Sequence, residues 1–396
     1  MKPKEIKIIN MKTKNLFENF QISKSDIDII LKTLKEKDLS WPYGITKKFE
    51  NKMAKFLKVK YALAHCNGTS AMYSAMFSVG IGPGTEVICP SYTWWASIAP
   101  AINLGATVVF CEINPDNLTI DPADVERKIT KNTKAVIVPH LWGNLGNVER
   151  IKLIIKKLDR KVYIIEDASH AIGGQFKNKA IGTLGDVGIF SLQLGKPLPA
   201  GEGGLLVANN KKIYEQAILL GHYERVKNLR NKEILKYKKT GGGYKFRIHP
   251  LGAALAYSQL DVLSRKLKKQ NFLMEYFEER LKKLPGVQLF NRNQSGFKIG
   301  GRFGFRVGIN SNKLNNIADP AKKKMRIERE YVPLLHLEPF FTEKKSKYSG
   351  KGILPVTESL YNDIIGLPIF YDGTKKDIDL YVDSFLKNIK VKKCIK

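Results

Sequence analysis

The stretch EVICPSYTWWASIAPAINLGATVVFC, residues 86–111, decides the fold class of this chain. Two short and largely apolar runs, 86–89 and 107–111, enclose a segment with helical spacing at 94–104. Neither run alternates apolar with polar residues, which is typical of strands that are covered on both faces of a sheet. A strand, a helix and a second strand in this order predict an α/β domain with a parallel sheet.

The same alternation continues on both sides of this stretch. Short apolar runs predict further strands at 61–64, 135–138, 162–165 and 204–207. Helical spacing predicts helices at 23–37, 46–57, 70–79, 122–128 and 147–157. The pattern therefore predicts a large α/β domain whose mostly parallel sheet is flanked by helices.

The triplet Gly241-Gly-Gly243 interrupts this alternation, and one long predicted helix follows it. Beyond that helix, strands predicted at 287–290 and 303–307 mix with helices predicted at 357–363 and 376–389. We therefore predict four parts along the chain: a helical N-terminal lead (1–40), a large domain (41–250), a connecting helix (251–284) and a small α+β domain (285–396).

The composition combines an ordinary balance of residues with an unusual charge. Of the 396 residues, 43% are hydrophobic and 26% are charged, which is typical of a folded chain rather than a disordered one. The formal net charge is +30, an excess that attracts nucleic acids or anionic membranes. The lysines are scattered along the whole chain, however, which favours compositional drift over a nucleic-acid-binding surface.

Cysteine usage and hydropathy indicate the cellular compartment. The four cysteines, Cys66, Cys89, Cys111 and Cys394, form no CxxC pair and no zinc-ligand spacing. No run approaches the ~18 apolar residues of a membrane span, and the N-terminus lacks the apolar core of a signal peptide. We therefore expect a cytoplasmic protein with free thiols, without a metal site and without a membrane contact.

Several common catalytic templates do not match the sequence. Gly80-Ile-Gly82-Pro-Gly84 departs from GxGxxG in the position of its third glycine, and the preceding segment is a predicted helix rather than a strand. Gly195-Lys196 lacks the upstream glycine and the following Ser or Thr of a P-loop, and HExxH and GxSxG do not occur. These mismatches disfavour dinucleotide binding, NTP hydrolysis, zinc proteolysis and α/β-hydrolase chemistry.

Two motifs stand where strands end. Asn67-Gly-Thr-Ser70 joins a predicted strand to a predicted helix, so it is either an ordinary helix cap or a phosphate site at the helix N-terminus. Glu166-Asp167 follows the apolar run 162–165, at the strand end where open α/β sheets bind ligands. A carboxylate there either faces a ligand or caps the next helix.

Two further motifs carry an amine and an aromatic ring. Lys196 lies between the apolar run that ends in Phe190-Ser191 and a glycine-rich turn, so it is either a surface lysine or a buried one that forms Schiff bases. Tyr92-Thr-Trp94-Trp95 follows a predicted strand and either packs in the core or stacks on a flat ligand. A phosphate site, a carboxylate, an amine and a ring are together what pyridoxal 5′-phosphate (PLP) requires.

At these residues the sequence resembles the DegT/DnrJ/EryC1/StrS family of fold-type I PLP enzymes, the sugar and cyclitol aminotransferases. The resemblance extends over about residues 41–389, nearly the whole chain. It rests on motifs in a specific order: Asn67-Gly-Thr-Ser-Ala71, Gly82-Pro-Gly-Thr-Glu-Val87, Pro90-Ser-Tyr-Thr-Trp94, Glu166-Asp-Ala-Ser-His-Ala171, Phe190-Ser191, Lys196, Gly201-Glu-Gly-Gly204 and Gly243-Tyr-Lys-Phe-Arg-Ile-His-Pro250.

The resemblance implies a role for individual residues. It assigns Lys196 as the lysine that bonds to the cofactor and moves the proton of the amino acid. It assigns Asp167 to the pyridine nitrogen, His170 to the phenolic oxygen and Trp94 to stacking on the ring. Phosphate contacts are implied for the remaining matched positions, with the last of them reaching the neighbouring subunit: Gly68, Thr69, Ser191 and Lys245.

The resemblance also implies an activity and an assembly. We expect a homodimer with shared active sites that transfers an amino group from glutamate or glutamine to a keto group on a nucleotide-linked sugar or a cyclitol. Lys245 and Phe246 depart from the commoner Asn-Tyr, and Gln193 precedes the lysine as in the cyclitol and aminohydroxybenzoate branches. Two alternatives stay open: a PLP-dependent dehydratase or aromatising enzyme, and a nucleic-acid-binding or regulatory protein on this scaffold.

Overall fold

The computed structural model describes residues 20–40, 43–290, 295–309, 319–330, 332–343 and 353–390. Its strands are β1 (Tyr61–His65), β2 (Glu86–Pro90), β3 (Thr107–Cys111), β4 (Thr133–Pro139), β5 (Tyr163–Asp167), β6 (Gln175–Phe176), β7 (Lys179–Ala180), β8 (Val187–Ser191), β9 (Gly204–Ala208), β10 (Val287–Leu289), β11 (Phe297–Lys298), β12 (Phe305–Ile309), β13 (Glu328–Arg329) and β14 (Ile364–Leu367).

Helices alternate with these strands along the chain. They are α1 (Lys24–Lys35), α2 (Gly44–Leu57), α3 (Gly68–Ser78), α4 (Ala99–Asn103), α5 (Pro122–Lys128), α6 (Val148–Lys156), α7 (Lys211–Gly221), α8 (Tyr223–Val226), α9 (Lys232–Leu235), α10 (Pro250–Leu281), α11 (Asp319–Lys324), α12 (Pro339–Thr342), α13 (Pro355–Tyr361) and α14 (Lys375–Lys390). Short 3₁₀ turns lie at Trp95–Ser97, Leu141–Gly143 and Leu335–Leu337. None of the described helices is both long and apolar enough to cross a bilayer.

The large sheet has seven strands in the order β1-β9-β8-β5-β4-β2-β3. All neighbouring pairs from β8 to β3 are parallel, and β9 is antiparallel to both of its neighbours. The carboxyl ends of β1 and of the strands from β8 to β3 therefore share one edge of the sheet, where α/β proteins bind ligands. This mixed and mostly parallel sheet confirms the predicted fold class.

A second sheet forms around the C-terminal part of the chain. It has the antiparallel order β10-β12-β14-β13. The 32-residue helix α10 joins the two regions, because its first half packs in the core beside the large sheet and its second half packs in the C-terminal core. Leu263 and Phe277 represent these two halves, and both are fully buried. The arrangement supports the predicted division into domains, which stays a prediction.

The predicted helix at 94–104 is wrong as a single element. Ile98 departs from helical geometry, so the segment divides into the 3₁₀ turn Trp95–Ser97 and the helix α4. Pro100 explains the break, because proline has no N–H and is accepted only in the first turn of a helix. Glu166 and Asp167, predicted to follow a strand, are instead the last two residues of β5.

Other differences concern short strands, element ends and five helices that were not predicted from the sequence, α7, α8, α9, α11 and α12. The strand predicted at 303–307 lies two residues later, at β12, and the strands β6, β7, β11, β13 and β14 have no counterpart in the sequence prediction. All of these strands except β14 have only two residues, too few to produce a recognisable alternation. Cys66, Cys89 and Cys111 are free thiols as expected, whereas Cys394 lies outside the described residues.

Candidate active site

A cavity of about 380 Å³ lies at the edge of the large sheet where β5 and β8 end. Seven of the eight residues that the resemblance assigns to the site line this cavity: Gly68, Thr69, Trp94, Asp167, His170, Ser191 and Lys196. They come from separate elements of the large sheet and its helices, and the fold brings them together. The roles assigned to them stay predictions.

Lys196 is held by a turn between β8 and β9. The Lys196 N–H donates to the Gln193 carbonyl (2.8 Å), and the Gly195 N–H donates to the Gln193 side-chain oxygen (2.9 Å). Burial lowers the pKa of the Lys196 amine to about 7, although the negative charge of Asp167 opposes that shift. An amine with this pKa is partly neutral at neutral pH, and the neutral form is the nucleophile.

Two donors orient the carboxylate of Asp167. The Ser97 hydroxyl donates to Oδ2 (2.7 Å), and the Ser169 N–H donates to Oδ1 (3.2 Å). Ser97 is fully buried and is itself within 3.2 Å of the Thr93 hydroxyl. The carboxylate is therefore fixed in direction at the wall of the cavity.

The neighbouring Glu166 has a structural role outside the cavity. Successive side chains of a strand point to opposite faces, and the Glu166 carboxylate is buried away from the cavity lining. It accepts a hydrogen bond from the Gly182 N–H (2.9 Å) and contacts His140 Nε2 at 2.9 Å. Of the two acidic residues in the motif, only Asp167 lines the cavity.

The Asn67 motif at the start of α3 is a helix cap and also forms part of the cavity wall. The Asn67 side chain caps the helix, because its oxygen accepts from the Ser70 N–H (2.8 Å). Gly68 and Thr69, the first two residues of the helix, nevertheless line the cavity. The first N–H groups of a helix have no partner within it and carry its positive end, so this wall suits an anion.

His170 presents one ring nitrogen to the backbone. Its Nδ1 accepts from the Trp142 N–H (3.3 Å), which leaves the proton of a neutral imidazole on Nε2. Burial lowers the pKa of His170 well below its usual value, and the positive charges of Lys196 and Arg306 lower it further. The ring is therefore neutral at neutral pH and can donate from Nε2.

Trp94 and Lys245 differ in their relation to the cavity. Trp94 lines it with about half of its surface exposed (51%), as a residue at the mouth does. Lys245 is exposed and does not line it; its Nζ lies 5.6 Å from the centre of the Tyr223 ring. Within one subunit, therefore, the structure does not bring Lys245 to the other seven residues.

Several residues of the cavity were not predicted from the sequence. Ser97, Gln193 and Glu202 belong to segments near the motifs, whereas Phe303 comes from the C-terminal part of the chain. Ser97 lies two residues after Trp95, and this closeness to the aromatic motif is a weak indication that it belongs to the site. Nothing in the sequence around Phe303 indicates a site. Among the described residues, no group of three or more His, Cys, Asp or Glu side chains could hold a metal ion.

Comparison with known proteins gives a consistent result. The DegT/DnrJ/EryC1/StrS aminotransferase family matches residues 21–385. The chain is 30% identical over 326 residues to GDP-perosamine synthase of Escherichia coli O157:H7, covering 82% of this chain and 84% of that protein. It is 35% identical over 238 residues to GDP-perosamine synthase of Vibrio cholerae, covering 60% of this chain and 63% of that protein, less than two thirds of its length.

A solved structure shows the same fold. The crystal structure of 3-amino-5-hydroxybenzoic acid synthase superposes with a TM-score of 0.83, covering 93% of this chain and 97% of that chain. The two sequences are 22% identical, so this likeness shows a shared fold alone.

Proposed function

The chain belongs to the DegT/DnrJ/EryC1/StrS aminotransferase family, and from this we propose that it is a PLP-dependent sugar aminotransferase. It moves an amino group from glutamate or glutamine to a keto group on a nucleotide-linked sugar, with a cyclitol as the second candidate acceptor. The observation that carries the proposal is the buried Lys196 amine, which shares one cavity with the Asp167 carboxylate and the start of α3.

The relatives guide the choice of acceptor. Two of them are named GDP-perosamine synthases, which supports an acceptor linked to a nucleotide. The relatives reported above do not favour a dehydratase, an aromatising enzyme or a nucleic-acid-binding protein. A location in the cytoplasm stays a prediction from the sequence.

The residues of the cavity fit PLP, which has an aldehyde, a ring nitrogen and a phosphate. Lys196 offers the amine for the aldehyde, Asp167 offers the anion for the ring nitrogen, and the start of α3 offers the positive helix end for the phosphate. When bound, PLP supplies an aldehyde that bonds to amines and a protonated ring that withdraws electrons from the amino-acid Cα.

Three side chains of the cavity then have separate roles in the proposed reaction. Lys196, with a pKa of about 7, can both accept the Cα proton and give a proton back near neutral pH. Asp167, oriented by Ser97 and Ser169, holds the proton on the ring nitrogen. His170 donates from Nε2 to an oxygen acceptor in the cavity.

A second subunit is part of the proposal. Lys245 is exposed and outside the cavity of its own chain, so it is available to the cavity of a neighbouring copy. We propose a homodimer in which Lys245 of each subunit contacts the phosphate bound by the other. In such a two-fold arrangement, each active site contains residues of both chains.

The first prediction tests the cofactor and Lys196 together. PLP added to the purified chain should give a visible absorbance band, and glutamate or glutamine should bleach it. Lys196→Ala removes the only amine that lines the cavity among the described residues, so the band and the amination should both be lost. The product is measured by mass spectrometry with keto forms of nucleotide-linked sugars and with scyllo-inosose, using each donor.

Lys268→Ala is the control, because Lys268 is exposed on α10 and does not line the cavity. This variant should retain the band and the activity. Amination by the Lys196→Ala variant, or the absence of a band in the unchanged chain, would contradict the proposal. Loss of water from the acceptor without transfer of nitrogen would instead favour the dehydratase.

A further inference from the structure

Phe303 is the aromatic residue that Lys196 contacts inside the cavity. The Lys196 Nζ lies over the face of the Phe303 ring, 3.4 Å from its centre. Among the described residues, no hydrogen bond contributes to the pKa of Lys196, and the negative charge of Asp167 acts on its amine through space. The face of an aromatic ring carries partial negative charge and attracts a cation at this distance. Phe303 is therefore the nearest group in the structure that stabilises the ammonium form of Lys196.

The Phe303 ring is part of a stack that fixes its orientation. The rings of Phe303 and His170 are stacked with their centres 4.3 Å apart. The rings of Phe303 and Trp142 are nearly parallel, with an angle of 5° between their planes and 6.4 Å between their centres. The His170 ring contacts both of them. Because its neighbours are themselves buried, the Phe303 ring presents one constant face to Lys196.

The far end of this stack is anchored in the C-terminal sheet. The Arg306 guanidinium lies 3.7 Å from the centre of the Trp142 ring and forms an ion pair with Glu330 at 2.5 Å. Trp142 Nε1 donates to the Tyr92 hydroxyl (2.9 Å), which donates to Glu330 (2.7 Å). The rings are thus held between cations on two sides, Lys196 in the cavity and Arg306 outside it.

The stack matters because the amine of Lys196 is not always bonded to the cofactor. In the proposed transamination, Lys196 would hold the cofactor through its aldehyde between turnovers, and its amine would be free while the substrate reacts. During that time a long, flexible side chain has to stay in place in a buried cavity. Burial disfavours its charged form, whereas the Phe303 face favours it and holds it in one position.

We propose that Phe303 is a positioning residue for Lys196, whose ring face holds the Lys196 amine in its protonated, ammonium form when that amine is not bonded to the cofactor. The proposal rests on the proposed function and adds to it a residue from the C-terminal part of the chain. The Arg306–Trp142 contact lies on the side of the stack opposite to Lys196.

The test compares Phe303→Leu with Phe303→Tyr in the full chain after removal of PLP. Leucine keeps an apolar side chain but lacks the π face, whereas tyrosine keeps the face. Lys196 is acetylated in competition with a free amine between about pH 5 and pH 10, and its modification is measured by mass spectrometry. Phe303→Leu should leave roughly twofold to eightfold more neutral Lys196 at pH 6, with a labelling midpoint at lower pH.

Phe303→Tyr should keep the labelling midpoint of the unchanged chain. Phe305→Leu is the matched control: Phe305 is buried in the C-terminal core two residues further along and does not line the cavity. It should lower stability without moving the Lys196 profile. An unchanged profile in Phe303→Leu would overturn the proposal, and so would an equal shift in Phe303→Leu and Phe303→Tyr.

The proposed function is judged by a separate measurement on the same samples. PLP is added back, and its covalent attachment to Lys196 is measured after reduction with borohydride. Failure of attachment in the unchanged chain would contradict the proposed function, whatever the labelling profiles show. Normal attachment together with identical labelling profiles would contradict only the role of Phe303.

Discussion

At the scale of single residues, the environment distinguishes Lys196 from the many surface lysines of this chain. Burial lowers its pKa to about 7, and Asp167 in the same cavity opposes that shift. One unit of pKa corresponds to about 1.4 kcal/mol, so these opposing contributions decide how much neutral amine is present at neutral pH. The reactivity of Lys196 thus depends on where the fold places a single carboxylate.

The second prediction removes this carboxylate. Asp167→Asn takes away the negative charge that raises the pKa of Lys196, while burial, which lowers it, remains. The labelling midpoint of Lys196 in the PLP-free chain should therefore move from about 7 to a lower pH. Neutral amine would then be present at a pH where the unchanged chain is mostly protonated.

The control is Asp159→Asn, which makes the same substitution at an exposed loop position. Its Lys196 profile should match that of the unchanged chain. A midpoint that rises in Asp167→Asn, or one that falls equally in both variants, would show that Asp167 does not govern the amine.

At the scale of elements, β9 positions the start of α3. Gly204, the first residue of β9, pairs with His65 on one side and Ser191 on the other. A Cβ atom at Gly204 would lie 2.1 Å from the Asn67 carbonyl oxygen, a distance that no side chain can adopt. The absence of a side chain at this position allows the cap of α3 to approach the ends of β1 and β8.

The third prediction concerns this close approach. Gly204→Ala should lower the free energy of unfolding by about 1–3 kcal/mol, because backbone atoms have to move to accommodate the methyl group. It should also weaken PLP binding, since Gly68 and Thr69 move with the cap. Denaturant unfolding measures the first effect, and titration with PLP measures the second.

Gly82→Ala is the matched control for this experiment. A Cβ atom at Gly82 would have its nearest contact at 3.8 Å, the Leu104 carbonyl oxygen, which is ordinary van der Waals distance. This variant should bind PLP as the unchanged chain does. Equal PLP affinity in Gly204→Ala and Gly82→Ala would argue against a cofactor role for the start of α3.

At the scale of the whole molecule, the candidate site draws on distant parts of the chain. Its lining extends from Asn67 at the end of β1 to Val332 near the C-terminal sheet. Helix α10 packs in the cores of both regions and so holds them in a defined relation. In our proposal, each site also contains Lys245 of the neighbouring subunit, so the site draws on a second chain as well.

The fourth prediction tests the shared site by complementation. Lys196→Ala should be inactive, and Lys245→Ala should bind PLP more weakly as a homodimer. When the two variants are mixed, unfolded and refolded together, half of the dimers are mixed and each contains one intact site. Activity should therefore recover to about a quarter of that of the unchanged protein in a two-fold dimer.

The control mixes Lys196→Ala with the unchanged chain under the same conditions. Half of its sites are intact, so full refolding should give about one half of the activity of the unchanged protein, and any shortfall measures the refolding loss. Sedimentation analysis verifies the dimer in each mixture. If Lys245 acts within its own subunit, the mixed dimers contain no additional intact site and the activity stays at the level of the separate variants.

Much of the fold and part of the site could be predicted from the sequence alone. Uniformly apolar runs separated by helices identified the mixed sheet, because strands covered on both faces need no polar residues. Asp167 could be placed at the ligand-binding edge, since open α/β sheets bind ligands where their strands end. Ser191 was assigned through the resemblance. The break before Pro100 was missed because helical spacing outweighed the proline in that segment.

What the sequence determined by itself is the set of chemical groups and the strand ends that carry them, including Lys196, Asp167 and the capped start of α3. Only the tertiary structure decided the pKa of Lys196, the buried support of Asp167 by Ser97 and the place of Phe303 under the amine. The physical reason is that strand and helix patterns depend on neighbours in the sequence. Burial, electrostatic interaction and ring contacts depend on neighbours in space, and Phe303 lies more than a hundred residues from Lys196.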